Sequence, residues 1–222
     1  MAKVHPNVAA PSPPLATPGA AEAEEEPVAF TVWRKSLLFN CRGFTVFDAR
    51  GDLVYRVDSY ASDSRAEVVL MDAAGRALLT VRRRKKPIGL GGGDQWLVFP
   101  GEDTRAPPLY AVKRRAPQYI RGGGGGGSSS KSMAQVAACR GGGDGGNKYE
   151  VEGSYARRCC AVYDERRRAV AEVRPKEAVV GTDVFRMVVR PGMGMEASLA
   201  MAVVLALDQM FARPSLLRSW SS

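Results

Sequence analysis

The chain has 222 residues, 45% of them hydrophobic and 25% charged, which is the composition of a globular protein with one full-sized domain. That composition excludes a collagen-like, wholly disordered or polytopic membrane protein. Its 32 Lys and Arg outnumber 23 Asp and Glu, and the resulting net charge of +9 favours anionic partners such as nucleic acid, acidic lipid headgroups or acidic proteins.

Histidine and cysteine usage argues against catalytic and metal sites. The single histidine, His5, lies in a Pro- and Ala-rich N-terminal stretch, so histidine-based catalysis and His-ligated metals are not expected. The four cysteines, Cys41, Cys139, Cys159 and Cys160, form no C-x-x-C pair, so neither a zinc site nor a disulfide framework is predicted. Free thiols without a secretory signal predict a cytoplasmic protein that is not secreted, with peripheral-membrane and nuclear locations left open. We therefore predict a noncatalytic protein with no cofactor.

In chain order, a flexible tail precedes a long run of short strands. Residues 1–27 are rich in Pro, Ala and Glu and predict a disordered tail. From there to residue 190, short apolar or alternating runs separated by turn residues indicate an all-β domain. The twelve predicted strands are residues 30–34, 44–48, 53–58, 67–72, 77–84, 95–99, 109–114, 133–139, 149–155, 159–164, 169–174 and 183–189. Gly-rich inserts near 116–131 and 141–147 are predicted to be flexible loops, because no βαβ unit surrounds their glycines.

The last predicted element is a helix that is apolar on all sides. Residues 197–211 (ASLAMAVVLALDQMF) are apolar except for Ser198, Asp208 and Gln209, so the helix must be buried. At about 22 Å it is too short to cross a bilayer. A barrel of about twelve strands has a lumen too wide for side chains alone to fill. The predicted fold is therefore mostly β: a twelve-stranded closed β-barrel, residues 28–212, that encloses a hydrophobic C-terminal α-helix, followed by a tail at 213–222.

Several segments resemble the LURP-one-related proteins of plants. They are TVWRKSLLFNCRGFTVFDARGDLVYRVDSY (31–60), EVVLMDAAGRALLTVRRRK (67–85), DQWLVFPGE (94–102), YEVEGSYARRCCAVYDE (149–165), AVAEVRPKE (169–177), and DVFRMVVRPG followed by MAVVLALDQMF. The resemblance implies the fold of Tubby C-terminal domains and phospholipid scramblases, a twelve-stranded barrel around a central helix. It also implies a relation to membrane-tethered transcription factors and a role in defence signalling. No scramblase-type acidic calcium-binding segment is recognised, so calcium-dependent lipid scrambling is not implied.

The strongest candidate binding site is a run of five cations at the end of a predicted strand. It consists of Arg82, Arg83, Arg84, Lys85 and Lys86. Clusters of this kind bind phosphate and anionic headgroups, although on a strand Arg82 and Arg84 face one way and Arg83 the other. The alternatives are nuclear import or nucleic-acid binding, and a solvated strand end that discourages edge pairing.

Other cations end a second strand or occupy a turn. The second strand ends in Lys113, Arg114 and Arg115, which extend the same patch if the two strands are neighbours. Residues 166–168 are three arginines in a turn, where exposed turn charges are the expectation.

A few uncharged or acidic residues complete the candidates. Cys159 and Cys160 are predicted to be buried or half-buried in a strand, with S-acylation as the alternative. Trp33 and Trp96 are predicted to be core or barrel-seam aromatics, with base stacking as the alternative. Asp208 opposes the helix dipole in the last turn and would be costly if buried alone. It predicts a hydrogen-bonded or cationic partner at the barrel mouth and a role as structural helix anchor.

Two functions from different classes fit these features. The first is reversible binding of a monomer, without a transmembrane span, to anionic phosphoinositide membranes. The second is a nucleic-acid or acidic-protein binding module in the nucleus. A barrel that opens to hold a lipid or small ligand is a third and weaker interpretation.

Overall fold

The described part of the chain contains twelve strands and one α-helix. A computed structural model describes residues 26–38, 42–59, 67–84, 95–115, 132–139, 147–177 and 182–211. Several predicted segments lie outside the described residues. They are the N-terminal tail except for residues 26 and 27, the C-terminal tail, nearly all of both Gly-rich inserts, and Lys85 and Lys86. The strands are β1 (Val28–Trp33), β2 (Arg42–Phe47), β3 (Leu53–Ser59), β4 (Glu67–Asp72), β5 (Ala77–Arg83), β6 (Gln95–Pro100), β7 (Tyr110–Arg114), β8 (Ser132–Ala138), β9 (Lys148–Ser154), β10 (Cys159–Tyr163), β11 (Ala169–Pro175) and β12 (Val184–Val189).

Each strand pairs antiparallel with the next one along the chain, and the last pairs with the first. β12 runs antiparallel to β1 from Val28 opposite Val189 to Trp33 opposite Val184, which closes the barrel. All twelve predicted strands are present, with bounds that differ by at most two residues. Because the barrel is closed, its sheet has no unpaired edge strand. Side chains alternate along each strand, so every second residue faces the lumen. The predicted fold class is confirmed.

The helix fills the lumen. α1 (Ala197–Phe211) has the predicted bounds, and every residue from Leu199 to Asp208 is buried. Inward-facing strand residues such as Val32, Val98 and Phe185 are 0% exposed and belong to the same hydrophobic core as the helix. Because strands surround it on all sides, the helix has no face left for polar residues.

The helix begins at one end of the barrel and ends at the other. Gly192 and Gly194 adopt φ values of 73° and 80° in the segment that turns the chain from β12 into the lumen. The hydroxyl of Tyr149 donates a hydrogen bond of 2.6 Å to the carbonyl of Gly194 and fixes that turn. α1 then runs back through the barrel, so its last turn lies at the end where β1, β5, β7, β9 and β11 finish.

The two ends of the barrel carry different groups. The first, the basic end, carries the last turn of α1 together with Arg34, Lys35, Arg82 to Arg84, Lys113 to Arg115, and Arg158. The second, the turn end, carries the connections β2–β3, β4–β5, β6–β7 and β10–β11, and the start of α1.

Candidate anion-binding surface at the basic end

Asp208 binds two arginines and a tyrosine where the helix ends. Its side chain is 8% exposed, and Arg34 Nε donates to Oδ1 at 3.0 Å while Nη2 donates to Oδ2 at 3.3 Å. The Tyr155 hydroxyl donates to Oδ1 at 3.2 Å, and Arg158 Nη2 lies 3.9 Å from the same oxygen. The partner predicted for Asp208 is thereby confirmed. These contacts join the helix to the first strand and to the β9–β10 connection.

Arg158 is a fully buried cation with an unusual backbone. It adopts φ 51° and ψ 36°, the left-handed region, directly after the short 3-10 turn Tyr155–Arg157. Its guanidinium lies between two aromatic rings, 4.2 Å from the centroid of Tyr155 and 4.5 Å from that of Phe185. Nε donates to the carbonyl of Thr182 at 2.7 Å, whereas Nη1 has no hydrogen-bond partner among the described residues. The aromatic faces supply much of the stabilisation that a buried guanidinium needs.

Burial and charge shift the pKa values in this cluster. Partial burial lowers the pKa of Arg34, but Asp208, with Tyr155 and Asp183, raises it, and the net result is a pKa above the ordinary value, so Arg34 stays protonated. Burial, followed by the negative charge of Asp208, raises the pKa of Tyr155 well above its ordinary value. The tyrosine is therefore a neutral hydrogen-bond donor over the whole physiological range.

The cations at the end of β5 divide between the two faces of the barrel wall, as the alternation predicted. Arg82 lies 4.8 Å from the Phe99 ring, and its Nη1 donates to Thr104 Oγ1 at 2.7 Å. Arg83 lies 5.5 Å from the ring of the buried Trp96. Arg84 is exposed and makes one long bond of 3.5 Å to Gln95. Arg84 is thus the described member of the run with the weakest ties to the protein.

The cations that end β7 lie at the same end of the barrel but not on the neighbouring strand. β6 lies between β5 and β7, with Gln95 opposite Lys113 and Trp96 opposite Arg83. Lys113 is exposed, and Arg114 lies 4.9 Å from the ring of Phe211, the last residue of α1. Arg115 is 3.4 Å from Glu150. The two cation groups therefore border the same rim, one strand apart.

The turn end has a different charge pattern, because most of its arginines have acidic neighbours. Asp48, Asp72 and Asp164 each accept a hydrogen bond from the backbone N–H four residues later, which closes three similar turns. The ion pairs are Asp48 with Arg50 at 3.3 Å, Asp72 with Arg76 at 2.7 Å, Asp103 with Arg105 at 3.0 Å and Asp164 with Arg168 at 2.8 Å. Residues 166–168 are exposed, as predicted for turn charges. The excess positive charge of the described residues consequently concentrates at the basic end.

The adjacent cysteines differ in exposure. Cys160 is 7% exposed, which confirms the predicted burial, whereas the prediction is wrong for Cys159, which is exposed. Consecutive strand residues face opposite sides, so only one of the pair can face the core. Cys159 lines an open groove of about 530 Å³ on the outer wall, beside Tyr163 and Arg174.

The two tryptophans also differ in exposure, and exposed leucines follow one of them along the chain. Trp96 is 3% exposed and belongs to the core. Trp33 ends β1 at the barrel seam, is 44% exposed and packs edge-on against Phe47 at 5.6 Å. Leu37 and Leu38 follow in the β1–β2 connection with exposed fractions of 56% and 39%. These leucines were not identified from the sequence, although a Leu pair beside Lys35 and outside any strand alternation was a usable signal.

Neither a metal-ligand cluster nor a membrane-spanning helix occurs within the described ranges. Three or more His, Cys, Asp or Glu side chains nowhere gather there in a group that could hold a metal ion. No helix in that part of the chain has the length and apolar content needed to cross a membrane.

Comparisons with known proteins agree with the sequence resemblance. A family model described as LURP-one-related matches residues 28–208. Protein LURP-one-related 8 of Arabidopsis thaliana is 42% identical, with 83% of this chain and 87% of that protein covered. Protein LURP-one-related 17 of the same plant is 37% identical, with 82% of each chain covered. An X-ray structure of an Arabidopsis thaliana protein matches the fold with a TM-score of 0.58 at 24% identity, covering 83% of this chain and 91% of that one. With the predicted barrel and central helix both present, the chain belongs to the LURP-one-related family.

Proposed function

We propose that this protein is a noncatalytic barrel that binds anionic membranes reversibly through its basic end, with phosphoinositide headgroups as the preferred ligands. The observation that carries the proposal is the unequal distribution of charge. Cations that follow β1 and that end β5 and β7 border one mouth, whereas most arginines of the opposite turns, such as Arg76 and Arg168, have carboxylates beside them. A relation to membrane-tethered transcription factors and a role in defence signalling are part of the same proposal, and they rest on the family resemblance.

The geometry favours contact with a surface over binding of a small ligand. α1 fills the lumen, so the cations are at the rim and do not converge in a deep cavity of the described structure. Arg82 is bound to Thr104 and Arg115 approaches Glu150. Arg83 and Arg114 are exposed but contact aromatic rings. Arg84 and Lys113 are exposed on either side of β6. Basic residues near a membrane surface contribute about 1 kcal/mol each to its binding.

Cosedimentation with vesicles tests the proposal. Vesicles of phosphatidylcholine alone are compared with vesicles that also contain a phosphoinositide, using the full chain and the double variant Arg84→Ala/Lys113→Ala. We expect binding only to the anionic vesicles, and binding by the variant about 10- to 30-fold weaker. Equal binding to both vesicle types would contradict the proposal.

The matched control removes two exposed cations from the turn end. Arg76→Ala/Arg166→Ala changes the net charge by the same amount and should bind vesicles as the unmodified chain does. If both double variants weaken binding equally, net charge alone attracts the protein, and the basic end is not a docking surface. A DNA affinity with sequence preference and a steep salt dependence, without vesicle binding, would support the nucleic-acid alternative in its place.

A further inference from the structure

We infer that Trp33, Leu37 and Leu38, named here the apolar loop, insert into the bilayer beside which the basic end docks. The inference rests on the proposed membrane binding and adds to it a point of entry into the apolar part of the lipid. It assigns a function to side chains whose exposure the fold does not explain.

The exposure of these residues is unusual within this protein. Four large hydrophobic side chains of the described residues are exposed, and three of them are Trp33, Leu37 and Leu38. A single exposed Leu is ordinary for a protein surface, but three large exposed apolar side chains within six residues of the sequence are not. The fourth, Val28, is 42% exposed and lies at the turn end.

Hydrogen bonds hold the apolar loop in its projecting conformation. The Ser36 hydroxyl, itself buried, donates to Asp58, and the backbone N–H of Leu38 donates to Ser36 Oγ at 3.0 Å. Thr45 Oγ1 donates to the carbonyl of Lys35 at 2.7 Å. The backbone that carries the two exposed leucines is therefore held in place, and little backbone entropy is lost when they enter an apolar phase.

The chemistry around the apolar loop fits an anionic lipid surface. Tryptophan side chains favour the membrane–water interface, and basic side chains favour the headgroup level. Lys35 is exposed between Trp33 and Leu37, and the cations of β5 and β7 border the far side of the same mouth. A barrel of this strand number is about 20 Å across, so one flat surface can touch both regions at once. The binding strength of a peripheral protein increases with buried apolar area and with electrostatic attraction to anionic lipids, so the two regions reinforce each other.

Fluorescence quenching by brominated lipids tests the insertion. In a Trp220→Phe background the remaining tryptophans are Trp33 and the buried Trp96. With phosphoinositide vesicles that contain brominated acyl chains, we expect quenching of the Trp33 emission, and its absence after Trp33→Phe. We also expect Leu37→Ser/Leu38→Ser to weaken vesicle binding about tenfold or more, since burial of a Leu side chain is favourable by about 1.5 kcal/mol or more. Val28→Ser, which removes an exposed apolar residue from the turn end, should leave binding unchanged.

The outcomes separate this inference from the proposal on which it rests. If the chain binds anionic vesicles in a salt-sensitive way, yet shows no Trp33 quenching and no loss in the leucine variant, membrane binding stands and insertion is wrong. If no vesicle is bound, both are wrong. If the unmodified chain self-associates in analytical ultracentrifugation and Leu37→Ser/Leu38→Ser abolishes this without an effect on vesicle binding, the apolar loop is a contact between copies, and the inference is again overturned.

Discussion

Two guanidinium groups surround one carboxylate at the end of α1, and they have different surroundings. Arg34 is partly exposed and aligns two nitrogens with Asp208, whereas Arg158 is buried between aromatic rings and lies farther from the carboxylate. An isolated charge in either position would be costly, so each member of the cluster depends on the others. Because the members come from different elements, we expect the cluster to stabilise one axial position of the helix in the barrel.

Asp208→Asn should therefore destabilise the fold by about 2–4 kcal/mol, because it leaves buried Arg158 without a counter-charge while most of the shape is retained. Urea unfolding followed by circular dichroism measures the change. Asp183→Asn is the control, since Asp183 is 77% exposed and 3.8 Å from Arg34, and such a pair contributes about 0–1 kcal/mol. Equal effects of the two substitutions would contradict the anchoring role of Asp208.

The adjacent cysteines should react very differently with thiol reagents. Cys159 is exposed on the outer wall, whereas burial raises the pKa of Cys160 to about 12. Because the thiolate is the reactive form, maleimide at pH 8 should label Cys159 in the native protein and Cys160 only after unfolding. Mass spectrometry of the labelled peptides, with a urea-unfolded sample as reference, identifies the modified residue. Rapid labelling of Cys160 in the native protein would show that β10 opens readily.

Stability should fall as the pH rises above about 9. Native Cys160 keeps its proton up to about pH 12 and native Tyr155 keeps its proton well above pH 10, while the unfolded chain releases both protons near pH 9 and 10. The native state then binds more protons than the unfolded state, so the unfolding free energy decreases with pH across this window. Urea midpoints at pH 8, 9, 10 and 10.5 measure the decrease. In Cys160→Ala the decrease between pH 9 and 10 should be smaller, and an unchanged profile would contradict this assignment.

At the scale of elements, one glycine allows β9 and β10 to pair closely. Gly153 lies opposite Cys160 with φ 106°, and a Cβ atom at this position would collide with the carbonyl oxygen of Cys159. Neither the backbone conformation nor the space admits a side chain. The close approach precedes the 3-10 turn that carries Tyr155 and Arg158 into contact with the helix.

Gly153→Ala is accordingly expected to cost about 3 kcal/mol or more, because it combines a left-handed backbone with a collision against a neighbouring strand. Gly75→Ala is the matched control, since Gly75 has φ 85° but nothing within 4 Å of the position that a Cβ atom would take, and it should cost only about 1 kcal/mol. Thermal unfolding of both variants provides the comparison. Similar losses would mean that strand β9 shifts to accommodate the methyl group.

The elements were predictable because their signals are local. A period of two residues identified the strands, and continuous apolarity over 197–211 identified a helix that had to be enclosed. The partners of Asp208 were not predictable, because Arg34 is 174 residues away and only closure of the barrel brings it to the helix. Likewise, the sequence showed that Arg82 and Arg83 diverge, but not that the β6–β7 connection returns to bind Arg82 through Thr104.

At the scale of the whole molecule, the helix and the wall form one core. The residues of α1 from Leu199 to Leu207 share a single hydrophobic cluster with the inward-facing residues of the strands. The last strand pairs with the first, so the barrel cannot close until nearly the whole domain has been brought together. The fold should consequently unfold as one cooperative unit.

Leu205→Ala tests this cooperativity, since Leu205 is 1% exposed at the centre of the lumen. We expect a loss of about 2–5 kcal/mol from the lost burial and the resulting cavity. Tryptophan fluorescence, which includes buried Trp96, and far-ultraviolet circular dichroism should give the same shifted midpoint. Gln209→Ala, on the exposed position of the last turn, should leave that midpoint nearly unchanged. Separate transitions for the two probes would show that the helix leaves the barrel before the wall unfolds.

The candidate surface was only partly predictable, because its assembly depends on the arrangement of strands in the whole barrel. Charge runs such as 82–86 and 113–115 are visible in the sequence, but the position of Arg82 to Arg84 and of Lys113 to Arg115 on one rim depends on an even alternation of strand directions around the barrel. The apolar loop shares that rim for the same reason, since β1, β5 and β7 run in the same direction. A single additional strand before β5 would have placed these groups at opposite ends.

The direction of β1 and of α1 also determines where reporters can be attached. Val28 begins β1 at the turn end, whereas Phe211 finishes α1 at the basic end. A fluorescent protein or affinity handle fused ahead of β1 therefore leaves the chain on the side remote from the rim cations. The same fusion made after α1 leaves beside Arg114, where its bulk obstructs access to them. Localisation studies in cells should use the former arrangement, and a difference between the two fusions would itself report which side of the molecule makes contact.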